Sequence, residues 1–162
     1  MNSKNIVFIG MPGCGKSAVA RAVASRLGRK WYDSDVEIEA SEGIGVPEIF
    51  KRFGEEYFRR LETETLLELS SRSGAVISAG GGAVARNAGL LRRNAVVVYL
   101  ERTLEDIAAA VAPGSRPLLK DPGSLRELYG KRRVLYEDTC DLKINNSGSI
   151  EETAERVLEA LR

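Results

Sequence analysis

Residues 10–17 read Gly-Met-Pro-Gly-Cys-Gly-Lys-Ser, the pattern G-x-x-x-x-G-K-[ST]. Each residue type suits phosphate chemistry. Glycines let the main chain curl until successive N–H groups converge on phosphate oxygens. A helix starting near Lys16 adds the positive end of its dipole. Lys16 is a point charge for the β- and γ-phosphates, and the Ser17 hydroxyl is a ligand for Mg²⁺. The residues expected against the phosphates are Gly13, Cys14, Gly15, Lys16, Ser17 and Ala18. Cys14 reads as a structural filler of the loop. The competing reading is an ordinary strand–turn–helix connection with accidental glycines. The apolar run before the loop and the helical pattern after it favour a nucleotide-phosphate site.

A second group of residues looks like an acceptor side. Asp33 and Asp35 stand two apart in "YDSDVE". In extended chain both carboxylates face one side. If Ser34 caps the following helix, Asp35 falls in its first turn, where an anion is favoured. Asp35 then accepts a hydroxyl proton or only orients the hydroxyl, and Asp33 supports Mg²⁺ through water. Arg59 and Glu62 share a helix face in "EEYFRRLETE". Arginine suits a small carboxylate because its fork matches both oxygens. Gly80, Gly81 and Gly82 follow an apolar run. Three glycines together imply close approach to the backbone. Arg116 and Arg132, taken alone, read as surface charges.

Several function classes drop out. The chain has 162 residues and no histidine, which excludes a Ser-His-Asp triad and any histidine-ligated metal. The guanine-reading Asn-Lys-x-Asp motif is absent, which counts against a GTPase switch. A net charge of +1 argues against a nucleic-acid or polybasic membrane binder. No apolar run approaches the roughly 20 residues of a bilayer span, and the N-terminal residues do not read as a cleavable signal peptide. Two cysteines make no disulfide framework, so a cytoplasmic location is expected. The near-neutral charge suggests a monomer.

The elements that must hold these residues alternate. Runs 6–10, 30–32, 75–78, 95–100 and 142–145 read as strands, and 16–27, 47–70, 86–93, 104–111, 125–136 and 150–161 as helices. The strands are nearly all apolar, which fits a parallel sheet covered on both faces. Ligands then gather at the carboxyl ends of the strands. Ser34-x-x-Glu37 and Ser149-x-x-Glu152 both look like capping boxes. The Pro- and Gly-rich stretch 112–123 reads as a mobile surface loop.

As an ordered set these features resemble the shikimate kinases. The resemblance rests on the phosphate loop, Asp33-x-Asp35, Phe58-Arg59-Arg60-x-Glu62, Gly80–Gly82, Arg116-Pro-Leu-Leu119, and Arg132 with Leu135-Tyr136. It covers the chain from about residue 4 to residue 145. It implies an α/β P-loop kinase fold: one domain over 1–162, with a five-stranded parallel sheet in the order 2-3-1-4-5. A helical substrate-binding segment would span 33–61 and a lid about 112–123. The resemblance implies ATP as co-substrate, Mg²⁺ as metal and shikimate as acceptor. Asp35, Gly80, Gly81 and Gly82 would hold ring hydroxyls, Arg59 and Arg132 the carboxylate, and Phe50 and Phe58 an apolar pocket wall. Arg116 on the lid would stabilise the transferring charge. The catalytic set would be Lys16, Asp35 and Arg116. The family commonly carries an arginine against adenine about seven residues before the lid's Arg-Pro. Alanines 108–110 occupy that region here, so no adenine role is carried over. The competing readings are a kinase for another small polyol such as gluconate, a nucleoside monophosphate kinase, or a nucleotide-binding regulator without catalysis.

Overall fold

The computed structural model describes residues 3–110 and 122–162. Its sheet has five strands in the order β2-β3-β1-β4-β5: β1 (Asn5–Ile9), β2 (Trp31–Asp33), β3 (Val76–Ser78), β4 (Ala95–Glu101) and β5 (Leu142–Asn145). Every pairing is parallel. The helices are α1 (Lys16–Leu27), α2 (Ser34–Glu42), α3 (Val46–Phe53), α4 (Glu55–Ser70), α5 (Val84–Arg92), α6 (Leu104–Ala110), α7 (Pro122–Thr139) and α8 (Ile150–Ala160).

The strands are apolar on both sides because both sides are covered. Alternate residues of β1 enter two different cores. Val7 and Ile9 pack with Leu66, Leu69, Leu91 and Tyr136, under α4, α5 and α7. Ile6 and Phe8 pack with Val19, Val23, Ala154 and Val157, under α1 and α8. A strand with period-two side chains and no solvent face has no position for a polar residue except at its ends. Asn5 is such an end, and it is fully buried. Its Nδ2 donates to the Arg72 carbonyl at 2.9 Å, and its Oδ1 accepts from the Ala75 N–H at 2.9 Å. One side chain thus sets the turn between α4 and β3 against the start of β1.

From β1 the chain runs out to β2 and β3 on one side, then returns to place β4 and β5 on the other. The loop after β1 therefore lies where the winding reverses, at the carboxyl ends of the strands. That is the position open α/β sheets reserve for ligands.

Two expectations are corrected. The helix expected over 47–70 is two helices, because Gly54 at φ +86° serves as C-cap of α3 and N-cap of α4. The break lets α3 fold back on α4, enclosing a small core of Ile38, Ile49 and Phe58. The N-cap of α2 is Asp33, not Ser34: the Asp33 carboxylate accepts the N–H groups of Asp35 and Val36 at 2.9 and 3.2 Å. The capping box expected at Ser149 is present in full. Residues 112–121 of the expected lid, Arg116 among them, lie outside the described residues; Pro122 and Gly123 already belong to α7.

Replacing Asn5 with alanine strands a buried N–H and at least one carbonyl. The expected loss is about 2–4 kcal/mol of stability, read as a lower urea midpoint with an unchanged slope.

Candidate active site

The loop after β1 closes around its own lysine. Lys16 Nζ donates to the carbonyls of Gly10 and Met11 at 3.0 and 3.1 Å, which holds the ammonium group over the loop. Cys14 has no exposure at all and packs with Phe8, Val19 and Leu100, as a filler would. Gly13 and Gly15 take φ +78° and +85° in the loop. Ala18 is half-buried in the first turn of α1. Ser17 Oγ donates to Asp33 Oδ2 at 2.5 Å, so the hydroxyl and the carboxylate stand side by side.

Asp33 and Asp35 do not face one side, as extended chain would have them. The chain turns helical after Asp33, and the two carboxylates go to different neighbours. Asp33 meets Ser17 and caps α2. Asp35 meets the glycine run: a Cβ on Gly80 would lie 2.8 Å from Asp35 Oδ1 and 2.9 Å from Glu62 Oε2. The Gly80 N–H donates to the Ser34 hydroxyl at 3.0 Å, which keeps this loop against the start of α2.

The same run gathers both predicted arginines. A Cβ on Gly82 would lie 2.5 Å from Arg59 Nη2 and 2.8 Å from Arg132 Nη2. A Cβ on Gly81 would lie 2.7 Å from Pro12 of the phosphate loop and 3.1 Å from Arg132 Nη1. A methyl group at Gly81 would meet the Pro12 ring, and one at Gly80 or Gly82 would displace the charged ends of Asp35, Glu62, Arg59 or Arg132. These three positions are the seam between the phosphate loop, α2, α4 and α7.

Charge in this seam is buried and unevenly matched. Arg59 is 7 % exposed and Arg132 8 %. Arg59 Nη1 binds Glu62 Oε1 at 2.8 Å, and Arg59 Nε binds Glu55 at 3.3 Å. Arg132 lies one helical turn from Tyr136 on α7, and no carboxylate among the described residues lies within ion-pair distance of it. Burial, reinforced by the positive Arg59 beside it, pushes the Arg132 pKa below its ordinary value. Phe58 is 4 % exposed and belongs to the small core between α2, α3 and α4, with the Phe50 ring 4.9 Å away. Arg59 also lies 5.3 Å from the centre of the Phe58 ring.

Tyr136, Arg102 and Asn146 escaped sequence reasoning as site residues. The Tyr136 hydroxyl donates to the Gly81 carbonyl at 2.6 Å, and burial raises its pKa, keeping the proton available. Its signal was present: Arg132 and Tyr136 are four apart on one helix and must share a face. Arg102 and Asn146 reach the phosphate loop from the ends of β4 and β5. They belong to no motif and were not legible in one dimension.

A parallel sheet in this order, with a glycine-rich Gly-Lys-Ser loop after its first strand and two buried guanidinium groups beside it, defines a P-loop phosphotransferase of the small-molecule kinase class. The shikimate kinase family model matches residues 12–162. A shikimate kinase of Cupriavidus pinatubonensis is 42% identical over 97% of this chain and 85% of its own length. One from Neisseria meningitidis serogroup C is 40% identical over 96% and 95%. The solved shikimate kinase from Acinetobacter baumannii in complex with shikimate superposes with a TM-score of 0.95 at 36% identity, over 98% of this chain and 93% of that one. The chain belongs to the shikimate kinase family.

Glu62 is 1 % exposed, and its desolvation outweighs the attraction of Arg59, so its pKa stands above the ordinary 4.5. The folded protein therefore binds this proton more tightly than the unfolded chain does. The contribution is fully present below the ordinary carboxylate pKa and is lost as pH rises through the raised value. Glu62→Gln, which cannot titrate, is expected to flatten the fall in stability across that window, measured as urea midpoints in steps from about pH 4 to about pH 7.

Proposed function

We propose that this chain transfers the γ-phosphoryl group of ATP to the 3-hydroxyl of shikimate, giving shikimate 3-phosphate and ADP. One observation carries the acceptor side: Arg132 is buried beside Arg59 without a carboxylate of its own within ion-pair distance among the described residues. Burying a guanidinium unpaired is expensive. A ligand carboxylate placed between Arg132 and Arg59 supplies the missing anion, and both guanidiniums already lie against Gly82.

In this reading the residues divide the work. Arg59 and Arg132 grip the carboxylate in forked hydrogen bonds. Asp35, with the backbone of Gly80–Gly82, holds the ring hydroxyls. Asp35 either removes the hydroxyl proton or keeps the hydroxyl in line with the γ-phosphorus. Phe50 and Phe58 form the apolar wall beside the ring. Lys16 and the amides of residues 13–18 neutralise the phosphates, and Arg116 of the lid spreads the transferring charge. Positioning supplies most of the acceleration, on the order of 7–11 kcal/mol in well-aligned cases.

The residues present fit Mg²⁺. Ser17 and Asp33 set a hydroxyl and a carboxylate oxygen beside each other, and no cluster of three metal-ligating side chains exists among the described residues. A cation that keeps several waters and takes its remaining oxygens from phosphates needs no more than this. Bound there, with Asp33 acting through water, it neutralises charge on the phosphate oxygens. The same reading has one domain over residues 1–162 act as a cytoplasmic monomer on small molecules; a net charge of +1 gives no drive toward nucleic acid or anionic membrane.

ADP release, followed by a coupled assay with and without shikimate, tests the reaction itself; gluconate and nucleoside monophosphates serve as competing acceptors. Release independent of shikimate, or driven by another acceptor instead, ends the proposal. Arg59→Ala is expected to raise the KM for shikimate by roughly 30-fold or more, the equivalent of losing about 2 kcal/mol from a buried charge pair, with little change in the KM for ATP. Arg116→Ala should lower kcat strongly in a protein that melts normally; near-normal turnover removes this arginine from the mechanism.

A further inference from the structure

A loop that holds phosphate with its amides also carries carbonyl oxygens, and these repel the same anion. Here donors occupy them one after another. Lys16 Nζ takes Gly10 and Met11. Arg102 Nη1 donates to the Gly13 carbonyl at 3.1 Å, and Asn146 Nδ2 donates to the Cys14 carbonyl. Arg102 directly follows β4 and Asn146 directly follows β5, so two strands on one side of the sheet each deliver one donor to adjacent peptides.

The consequence for the amides is geometric. In a trans peptide the C=O and the next N–H point in opposite directions. Drawing the Cys14 carbonyl to Asn146 turns the Gly15 N–H to the other side of that peptide. Drawing the Gly13 carbonyl to Arg102 does the same for the Cys14 N–H, which then closes the turn on the Met11 carbonyl at 3.1 Å. Asn146 is itself held. Its Oδ1 accepts from Thr153 Oγ1 at 2.8 Å, and Thr153 is fully buried on α8, which fixes the amide with its NH₂ toward the loop. The Asn146 N–H donates to the Glu101 carbonyl at 2.8 Å. Arg156 holds the neighbouring carbonyls of Asn145 and Ser147 at 3.1 and 2.6 Å. The fit leaves no spare room: a Cβ on Gly15 would lie 2.8 Å from Asn146 Nδ2.

We propose that Arg102 and Asn146 are positioning residues for phosphoryl transfer: Asn146 holds the Cys14 carbonyl so that the Gly15 N–H is aimed at the nucleotide phosphates, and Arg102 holds the Gly13 carbonyl so that the Cys14–Met11 turn shaping the loop is fixed before ATP arrives. The inference rests on the kinase reading above. It places no contact between either side chain and the base or the acceptor.

The test compares Asn146→Asp, which keeps the shape and removes the donor, with Arg102→Ala and Arg102→Lys in the full chain. Each donor-removing variant is expected to raise the KM for ATP roughly three- to tenfold, the worth of one hydrogen bond, with the KM for shikimate within about twofold. Inhibition by ADP and by inorganic tripolyphosphate should weaken by the same factor as ATP, and Arg102→Lys should recover most of the Arg102→Ala loss. Unchanged affinity for ATP and ADP in folded variants overturns the proposal. So does an equal loss for shikimate, or a loss for ADP that spares tripolyphosphate. If Asn146→Asp does not fold, the two Arg102 variants carry the test. An unmodified protein that fails to bind ADP at all overturns the kinase reading, and this inference with it.

Discussion

Two guanidinium groups lean on the backbone of Gly82 with a single buried carboxylate, Glu62, bonded to one of them. Like charges so placed repel, and burial strips them of the water that would screen the repulsion. They stay because the elements carrying them, α4 and α7, are fixed by the large core on one face of the sheet. The hydrophobic effect thus holds a polar arrangement that would not assemble unaided.

The glycine run is the other half of that arrangement. Gly80, Gly81 and Gly82 touch Asp35, Glu62, Pro12, Arg59 and Arg132 in turn. The run ties the phosphate loop to Arg59 and Arg132 through direct contact, not through a long lever. Tyr136 braces it from behind at Gly81 and approaches Met11 of the phosphate loop with the same hydroxyl at 3.8 Å. The phosphate loop and the pair of buried arginines therefore share one wall. Transfer between two substrates needs their reacting atoms held to within a fraction of an ångström, and a shared wall of backbone is stiffer than two pockets on separate elements.

Division of labour between Asp33 and Asp35 follows from one turn of chain. Ending β2 at Asp33 lets its carboxylate do two things: cap α2 through the N–H groups of Asp35 and Val36, and meet the Ser17 hydroxyl. Asp35, one helical step on, is delivered to Gly80. A strand two residues longer would have sent both carboxylates the same way and left either the Ser17 hydroxyl or the Gly80 loop without its carboxylate.

What one dimension determined was the chemistry of contiguous motifs and the period of the elements. The loop at 10–17 needs only its own glycines and the helix after it, so it is local. The apolar strand runs announced a sheet covered on both faces, and the ordered motifs shared with a known family supplied the strand order, which the sheet displays in Val7 paired with Ile77 on one side and Val97 on the other. The capping box at Ser149 is likewise local and was legible. Other features turned on competition between distant parts. Gly54 broke a helix that periodicity joined, because α3 gains a core with Ile38 and Phe58 only by folding back. Ser34 lost the cap to Asp33 because its hydroxyl was taken by the Gly80 N–H, 46 residues away in sequence. Arg102 and Asn146 belong to no motif; they reach the phosphate loop because β4 and β5 lie on the same side of β1. Local hydrogen bonds and side-chain period are written in neighbouring residues, whereas a donor's choice among acceptors is settled only when the packed core decides which backbone lies within 3 Å of it.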